Sequence, residues 1–240
     1  MRGRRWAIYG IANTLAETEE TVVYFQFLVE DASSAALIEA LVSEKIPPAP
    51  DFSYKIKYFH GIGGFRKKKT VKEIKTGKLL NDLEIYLSAF DKNLQGLEAA
   101  VFVVLDNDDR DTKTFRRQLA ELAERRNISV DHVFCIAIEE VEAWLLGDRQ
   151  AVLQAYPKAN KKSLLSYQQD SICGTWERLA DVVHPGWLKR IKKENLPYAE
   201  IGTEKSKWAR EIGVCMCPDA NESPSFQYFW REVLKRLAVV

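Results

Sequence analysis

Residues 101–108 read Val-Phe-Val-Val-Leu-Asp-Asn-Asp, an apolar run that stops abruptly at Asp106 and Asp108, with Asp109 and Asp111 just behind. Such a run is the pattern of a strand buried on both faces, and here it carries carboxylates to its C-terminal end. In open α/β sheets the ligand site lies outside the carboxyl ends of the strands, and hard divalent cations take carboxylate oxygens. Asp106 and Asp108 sit on a tight alternation that places both side chains toward the same side, which points to magnesium. The competing reading is a polar loop in which Asp111 or Thr112 caps the next helix, a common role for those residue types. A cap accounts for one acid at the helix start and leaves Asp106 and Asp108 unexplained.

Outward from this run the same alternation of elements repeats. Residues 22–29 form a strand-like apolar stretch, after which Leu37, Ile38, Leu41 and Val42 recur at helical spacing. A second strand is expected from Tyr54 to Phe59, closed by His60-Gly61 and the glycines at 63 and 64. Leu79, Leu80, Leu83, Tyr86, Leu87 and Phe90 make a helical stripe, and Phe115, Leu119, Leu122 and Ala123 make another before a strand from Val133 to Ile138. Strands alternating with helices of this length predict an α/β fold: a Rossmann-like, mostly parallel sheet with helices on both faces, over residues 1–148. From 149 to 240 no strand is expected, and aromatic-rich helical stretches predict a helical C-terminal lobe packed on the sheet. Ser223-Pro224 reads as an N-cap followed by proline at the first helical position, opening a helix whose Phe226, Phe229, Trp230, Val233, Leu234 and Leu237 share one face.

The whole-chain composition narrows the function classes. With 240 residues, 46% hydrophobic and 29% charged, the chain can bury a large core. Lys and Arg total 35 against 34 acids, so a uniformly basic nucleic-acid binder is excluded and any such surface is local. The sequence holds no apolar segment near the roughly 20 residues that span a bilayer, and Tyr9 to Asn13 is too short and polar for a signal core, so a cytoplasmic location is expected. Cys135 sits inside an apolar strand, as reduced cysteines do, and Cys215 and Cys217 lack a second ligand pair, so structural zinc is not expected.

Two more strand ends carry acids. Glu30 follows the first strand directly in Leu28-Val29-Glu30-Asp31, ahead of a helix whose start is marked by Ser33 and Ser34. Ile136-Ala137-Ile138 runs into Glu139, Glu140, Val141, Glu142, Ala143 and Trp144. On a helix Glu142 is flanked by Ile138, Leu145 and Leu146, and a sheltered carboxylate needs a cation or a metal. Glu139 and Glu140 read as solvated first-turn acids. If the strands adjoin, Glu30, Asp106, Asp108 and Glu142 converge at one sheet edge, where they repel one another unless a cation sits among them.

A Glu after the first strand and an Asp-x-Asp after a later one resemble the Toprim signature of topoisomerases, primases and OLD-type nucleases. The nearest resemblance is to a bacterial Toprim-like family of unknown function, carried by Leu28-Val29-Glu30, Val104-Leu105-Asp106-Asn107-Asp108, Ile138-Glu139-Glu140-Val141-Glu142-Ala143-Trp144-Leu145-Leu146 and Ser223-Pro224-Ser225-Phe226. It implies a Toprim-like sheet and a nuclease that uses Mg2+ or Mn2+, with Glu30, Asp106, Asp108 and Glu142 as metal ligands and catalytic acids. The resemblance also implies a catalytic lysine, for which Lys205 and Lys207 in Glu204-Lys205-Ser206-Lys207-Trp208 are candidates; a solvated helix face is the alternative. Implied partners are nucleic acid, DNA before RNA, a separate ATPase of the AAA or ABC type, and a second copy of the chain. The sequence contains no Gly-x-x-x-x-Gly-Lys-Ser/Thr loop, so nucleotide hydrolysis would belong to another chain. Two positions depart from the pattern. Asp31 stands where Toprim proteins usually have Gly, and Ser34 where OLD-type nucleases often carry an acid, leaving one metal or a site completed by Asp31 or Glu142. The basic run Arg66, Lys67, Lys68 and Lys69 reads as a phosphate-contacting loop or a solvated one. His60 reads as a loop residue or a catalytic one. A non-catalytic Toprim-like partner protein and a small-molecule phosphatase or transferase are the competing function classes.

Overall fold

The computed structural model describes residues 22–46, 52–64, 77–171 and 174–237. Four strands, β1 (Val23–Val29), β2 (Phe52–Tyr58), β3 (Ala99–Asp106) and β4 (Asp131–Ala137), form one sheet in the order β2-β1-β3-β4. All of its pairings are parallel. The crossovers contain α1 (Ala32–Lys45), α2 (Leu79–Asn93) and α3 (Thr112–Arg125). This is the α/β, Rossmann-like sheet that the alternation of apolar runs predicts. The basic run at 66–69 lies outside the described residues.

Each strand of the central pair feeds two cores, because successive side chains point to opposite faces. Phe25, Phe27, Val29, Phe102 and Val104 pack on one face, while Leu28, Val101, Val103 and Leu105 pack on the other against Leu83 and Leu87 of α2 and Phe115 and Leu119 of α3. That two-sided burial is why residues 101–105 are apolar without alternation. Beyond β4 the described chain is helical: α4 (Glu142–Leu146), α5 (Arg149–Ala155), α6 (Lys161–Leu165), α7 (Thr175–Val183), α8 (Trp187–Glu194), α9 (Tyr198–Cys215), a 3-10 turn at Pro218–Ala220 and α10 (Pro224–Leu237).

Two of these helices complete the first face of the sheet. On α10, the Phe229 ring lies 6.5 Å from Phe27, 6.3 Å from Phe102 and stacks 5.1 Å from Trp144. Helix α9 runs alongside α1 at very short range: a Cβ at Gly213 would come within 2.9 Å of Ala40 Cβ and 3.1 Å of Leu37 Cδ1. Close approach of the backbones is what that glycine permits. Lys45, at the end of α1, donates to the Val214 carbonyl at 2.7 Å, so the two helices point the same way and the earlier half of α9 lies over the N-terminus of α1.

The start of α1 differs in detail from the sequence expectation. Its N-cap is Asp31, whose carboxylate accepts from the Ser34 amide and from the hydroxyls of Ser33 and Ser34 at 2.8–2.9 Å. The two serines are first-turn residues that donate to the cap. At the other sequence-predicted caps, Asp111 accepts from the Thr114 amide at 2.9 Å, and Ser223 Oγ accepts from the Phe226 amide at 3.3 Å.

Candidate functional site

Parallel pairing brings the C-terminal ends of β1, β3 and β4 side by side. The backbone there is tied together by hydrogen bonds that continue past the strands. The Gly61 amide donates to the Glu30 carbonyl at 3.0 Å, the Asn107 amide to the Ala137 carbonyl at 2.9 Å, and the Asp108 amide to the Glu139 carbonyl at 2.8 Å. Side chains bridge the same gaps: Glu30 Oε2 accepts from the Asp106 amide at 3.4 Å, and Asp106 Oδ1 accepts from the Val141 amide at 2.9 Å.

The individual acids end in different environments. Asp106 is 8% exposed and shares the face of Phe102 and Val104, beneath α1 and α9. Burial, then the charges of Glu30, Glu142 and Asp31, push its carboxyl well above the usual range, opposed by Lys205. Burial and the nearby charges of Asp108 and Asp31 raise Glu30 to about 7, against hydrogen bonds from the amides of Asp106 and Ile62. Alternation does not extend to Asp108: β3 ends at Asp106, Asp108 adopts a left-handed φ of 50°, and its Oδ2 lies 2.6 Å from Arg110 Nη1 at the rim. It still contributes charge beside Glu30.

Glu142 is 2% exposed, as its apolar flanks predict, and its partner is a lysine. Lys205 Nζ reaches Glu142 Oε1 at 3.1 Å, with the lysine side chain only 17% exposed. Burial disfavours the ammonium, but Glu142, Asp31, Asp106 and Glu140 outweigh it and raise the Lys205 pKa. Glu142 itself is raised by burial, with Lys205 working in the opposite direction. Lys207, two residues on, is exposed, so the solvated-face reading describes Lys207 and fails for Lys205.

The expectation that Glu139 and Glu140 are solvated is corrected by the fold. Glu139 is 5% exposed with φ of 65°, and Thr175 Oγ1 donates to its Oε2 at 3.4 Å. Glu140 Oε2 accepts from the Trp176 amide at 2.8 Å. The N-terminus of α7 is laid against these acids by a segment some 35 residues away in sequence, and a free helix N-terminus favours carboxylates. Nothing local in the sequence signals that contact. His60 is exposed and rests edge-on against Tyr58, on the loop after β2.

Two of the blocks that carry the resemblance, residues 138–146 and 223–226, touch each other. Ser225 Oγ accepts from Trp144 Nε1 at 2.9 Å and from the Ile138 amide at 3.3 Å, and Asn221 Nδ2 donates to the Trp144 carbonyl at 2.7 Å. The Ser-Pro-Ser-Phe segment is therefore a clamp on the turn that carries Glu139, Glu140 and Glu142.

In kind, these donors suit a hard divalent cation: the oxygens are carboxylate and sheltered, and burial, with their mutual repulsion added, raises Glu30 and Asp106. In spacing they are not a finished cage, since among the described residues no three His, Cys, Asp or Glu side chains stand where one metal could be held. Among the described residues, no helix is long and apolar enough to cross a membrane. Comparison of the chain with protein-family models, with curated proteins and with solved structures returned no match.

Proposed function

We propose that the protein is a metal-dependent nucleic-acid phosphodiester hydrolase of the Toprim type, acting on DNA in the first instance and working with a separate ATPase. The observation that carries this reading is the acidic sheet edge, Glu30, Asp106 and Asp108 at the ends of β1 and β3, overhung by Lys205 from α9. Glu30, Asp106 and Asp108 would hold Mg2+ or Mn2+, with side-chain rotation closing the set. What a divalent cation supplies there when bound is charge neutralisation at the scissile phosphate and a more acidic water. Glu142 keeps Lys205 protonated and aimed, and the ammonium is placed to offset the negative charge that builds on a phosphate during transfer.

The deciding experiment incubates purified protein with supercoiled plasmid and with single-stranded DNA in Mg2+ or Mn2+, beside an Asp106→Asn/Asp108→Asn variant. Cleavage by the wild type alone is the expected result. A second reading is supported by specific contacts: Asp31 is engaged as a helix cap and Lys205 already neutralises Glu142, as in a non-catalytic Toprim-like partner of an ATPase. On that reading neither protein cuts, and calorimetric titration with Mg2+ gives no heat.

A further inference from the structure

The charge balance of the chain hides a local basic surface. None of the residues of α8 is buried, and its eight positions include Lys189, Arg190, Lys192 and Lys193 against one acid, Glu194. Between α8 and α9 lies a cleft of about 610 Å3, lined by Lys158, His184, Trp187, Arg190, Glu204 and Lys207 among others. Lys158, Arg190 and Lys207 are basic and exposed. Glu204, the carboxylate in the lining, faces His184 Nε2 at 3.8 Å, and Arg190 shares its Nε with Glu194 at 2.8 Å. Trp187 is half-buried, held edge-to-face 5.2 Å from the buried Trp208.

The cleft borders the acidic site. Glu204 and Lys205 are adjacent on α9, one turned to His184 in the cleft and the other to Glu142. Lys205 and Lys192 of α8 both bear on Glu177, whose carboxyl burial raises.

We infer that the cleft between α8 and α9 holds a single-stranded segment of nucleic acid, with phosphates on Lys158, Arg190 and Lys207 and a base against Trp187, and that it leads the strand to Lys205. This assignment rests on the hydrolase reading of the neighbouring acids for its direction, though binding in the cleft does not require cleavage. Cations that follow a backbone beside an aromatic ring are the recurring means of holding single strands without sequence preference. An acidic protein would use the cations and leave the indole without a role.

The test measures fluorescence anisotropy of a labelled oligothymidylate of about 20 nucleotides in EDTA, so that cleavage plays no part, from about 50 to 200 mM salt. Lys158→Glu/Arg190→Glu/Lys207→Glu, all at exposed positions, is expected to weaken binding more than about tenfold and to flatten the dependence of log affinity on log salt by about two, near the roughly 0.7 per phosphate contact for single strands. Polyglutamate should compete poorly. Wild-type affinity in the triple variant, no binding by the wild type, tighter binding of the equivalent duplex, or equal competition by polyglutamate would each overturn the inference. Cleft-dependent binding with no cleavage in Mg2+ or Mn2+ supports the cleft and removes the hydrolase reading, so the two fail separately.

Discussion

Replacing Lys205 by methionine tests the electrostatic logic of the site most directly. The substitution keeps a long unbranched side chain and deletes the ammonium that lies 3.1 Å from Glu142 Oε1. With its side chain 3% exposed, Glu142 would then hold an uncompensated charge close to Asp106, Asp31 and Glu140. Removing one partner of a buried ion pair costs about 3–5 kcal/mol. For a chain of this size each kcal/mol moves the midpoint of thermal unfolding by roughly 2–4 °C, so a fall of the order of 10 °C is expected near pH 8. The pH dependence follows from the signs. Lys205 is raised in the folded state, so what it contributes is present below the unfolded lysine value and persists across the neutral range. Glu142 is raised even with Lys205 in place and rises further without it, so the variant loses stability as pH climbs above the ordinary glutamate range. The deficit should therefore shrink toward pH 5, and Lys205→Met/Glu142→Leu should recover most of it, because replacing both members of a buried pair by apolar groups is often neutral. Urea denaturation of the wild type and both variants from pH 5 to 8.5, with unchanged slopes, supplies the numbers. A loss below about 1 kcal/mol at pH 8, or one independent of pH, would refute the argument, since an exposed pair behaves that way.

Glu30, raised from 4.5 to about 7, makes the metal-free protein lose stability as pH rises through that window; the shift corresponds to about 3 kcal/mol, so Glu30→Gln should gain up to that amount at pH 8 by urea titration while losing any metal-dependent activity. Mg2+ should raise the wild-type melting temperature with increasing concentration and leave Asp106→Asn unmoved, as scanning calorimetry would show. Ser225→Ala leaves Trp144 Nε1 and the Ile138 amide without their acceptor and should cost about 1–3 kcal/mol by chemical denaturation. At Gly147 a Cβ would meet Asn221 Oδ1 at 2.4 Å and the Ser223 amide nitrogen at 3.1 Å, so Gly147→Ala should destabilise by about 1–3 kcal/mol, and a neutral result by thermal melting would show that the clamp yields.

What the sequence determined is local. Buried strands announce themselves by apolar runs, and those at β1, β3 and β4 end within a residue or so of where they were read, because two-sided burial excludes polar residues until the sheet edge is reached. The helical stripes of α2, α3 and α10 and the caps Asp111 and Ser223 follow from 3.6-residue spacing and from orphan amides that a nearby side chain satisfies. Sequence also placed Glu30, Asp106 and Glu142 at or just beyond strand ends and showed that Glu142 is sheltered. Only the tertiary structure decided which groups meet there. Lys205 and Lys207 look alike in the sequence, and the line of contact between α1 and α9, permitted by Gly213, buries one and leaves the other in water. Glu139 and Glu140 look solvated until α7 brings the Thr175 hydroxyl and the Trp176 amide to them. Asp108 shares the spacing of Asp106, yet a left-handed turn and Arg110 carry it to the rim. Periodicity is a property of a few consecutive residues, whereas the ionisation and partners of a buried charge are set by elements that are distant in the chain and adjacent in space.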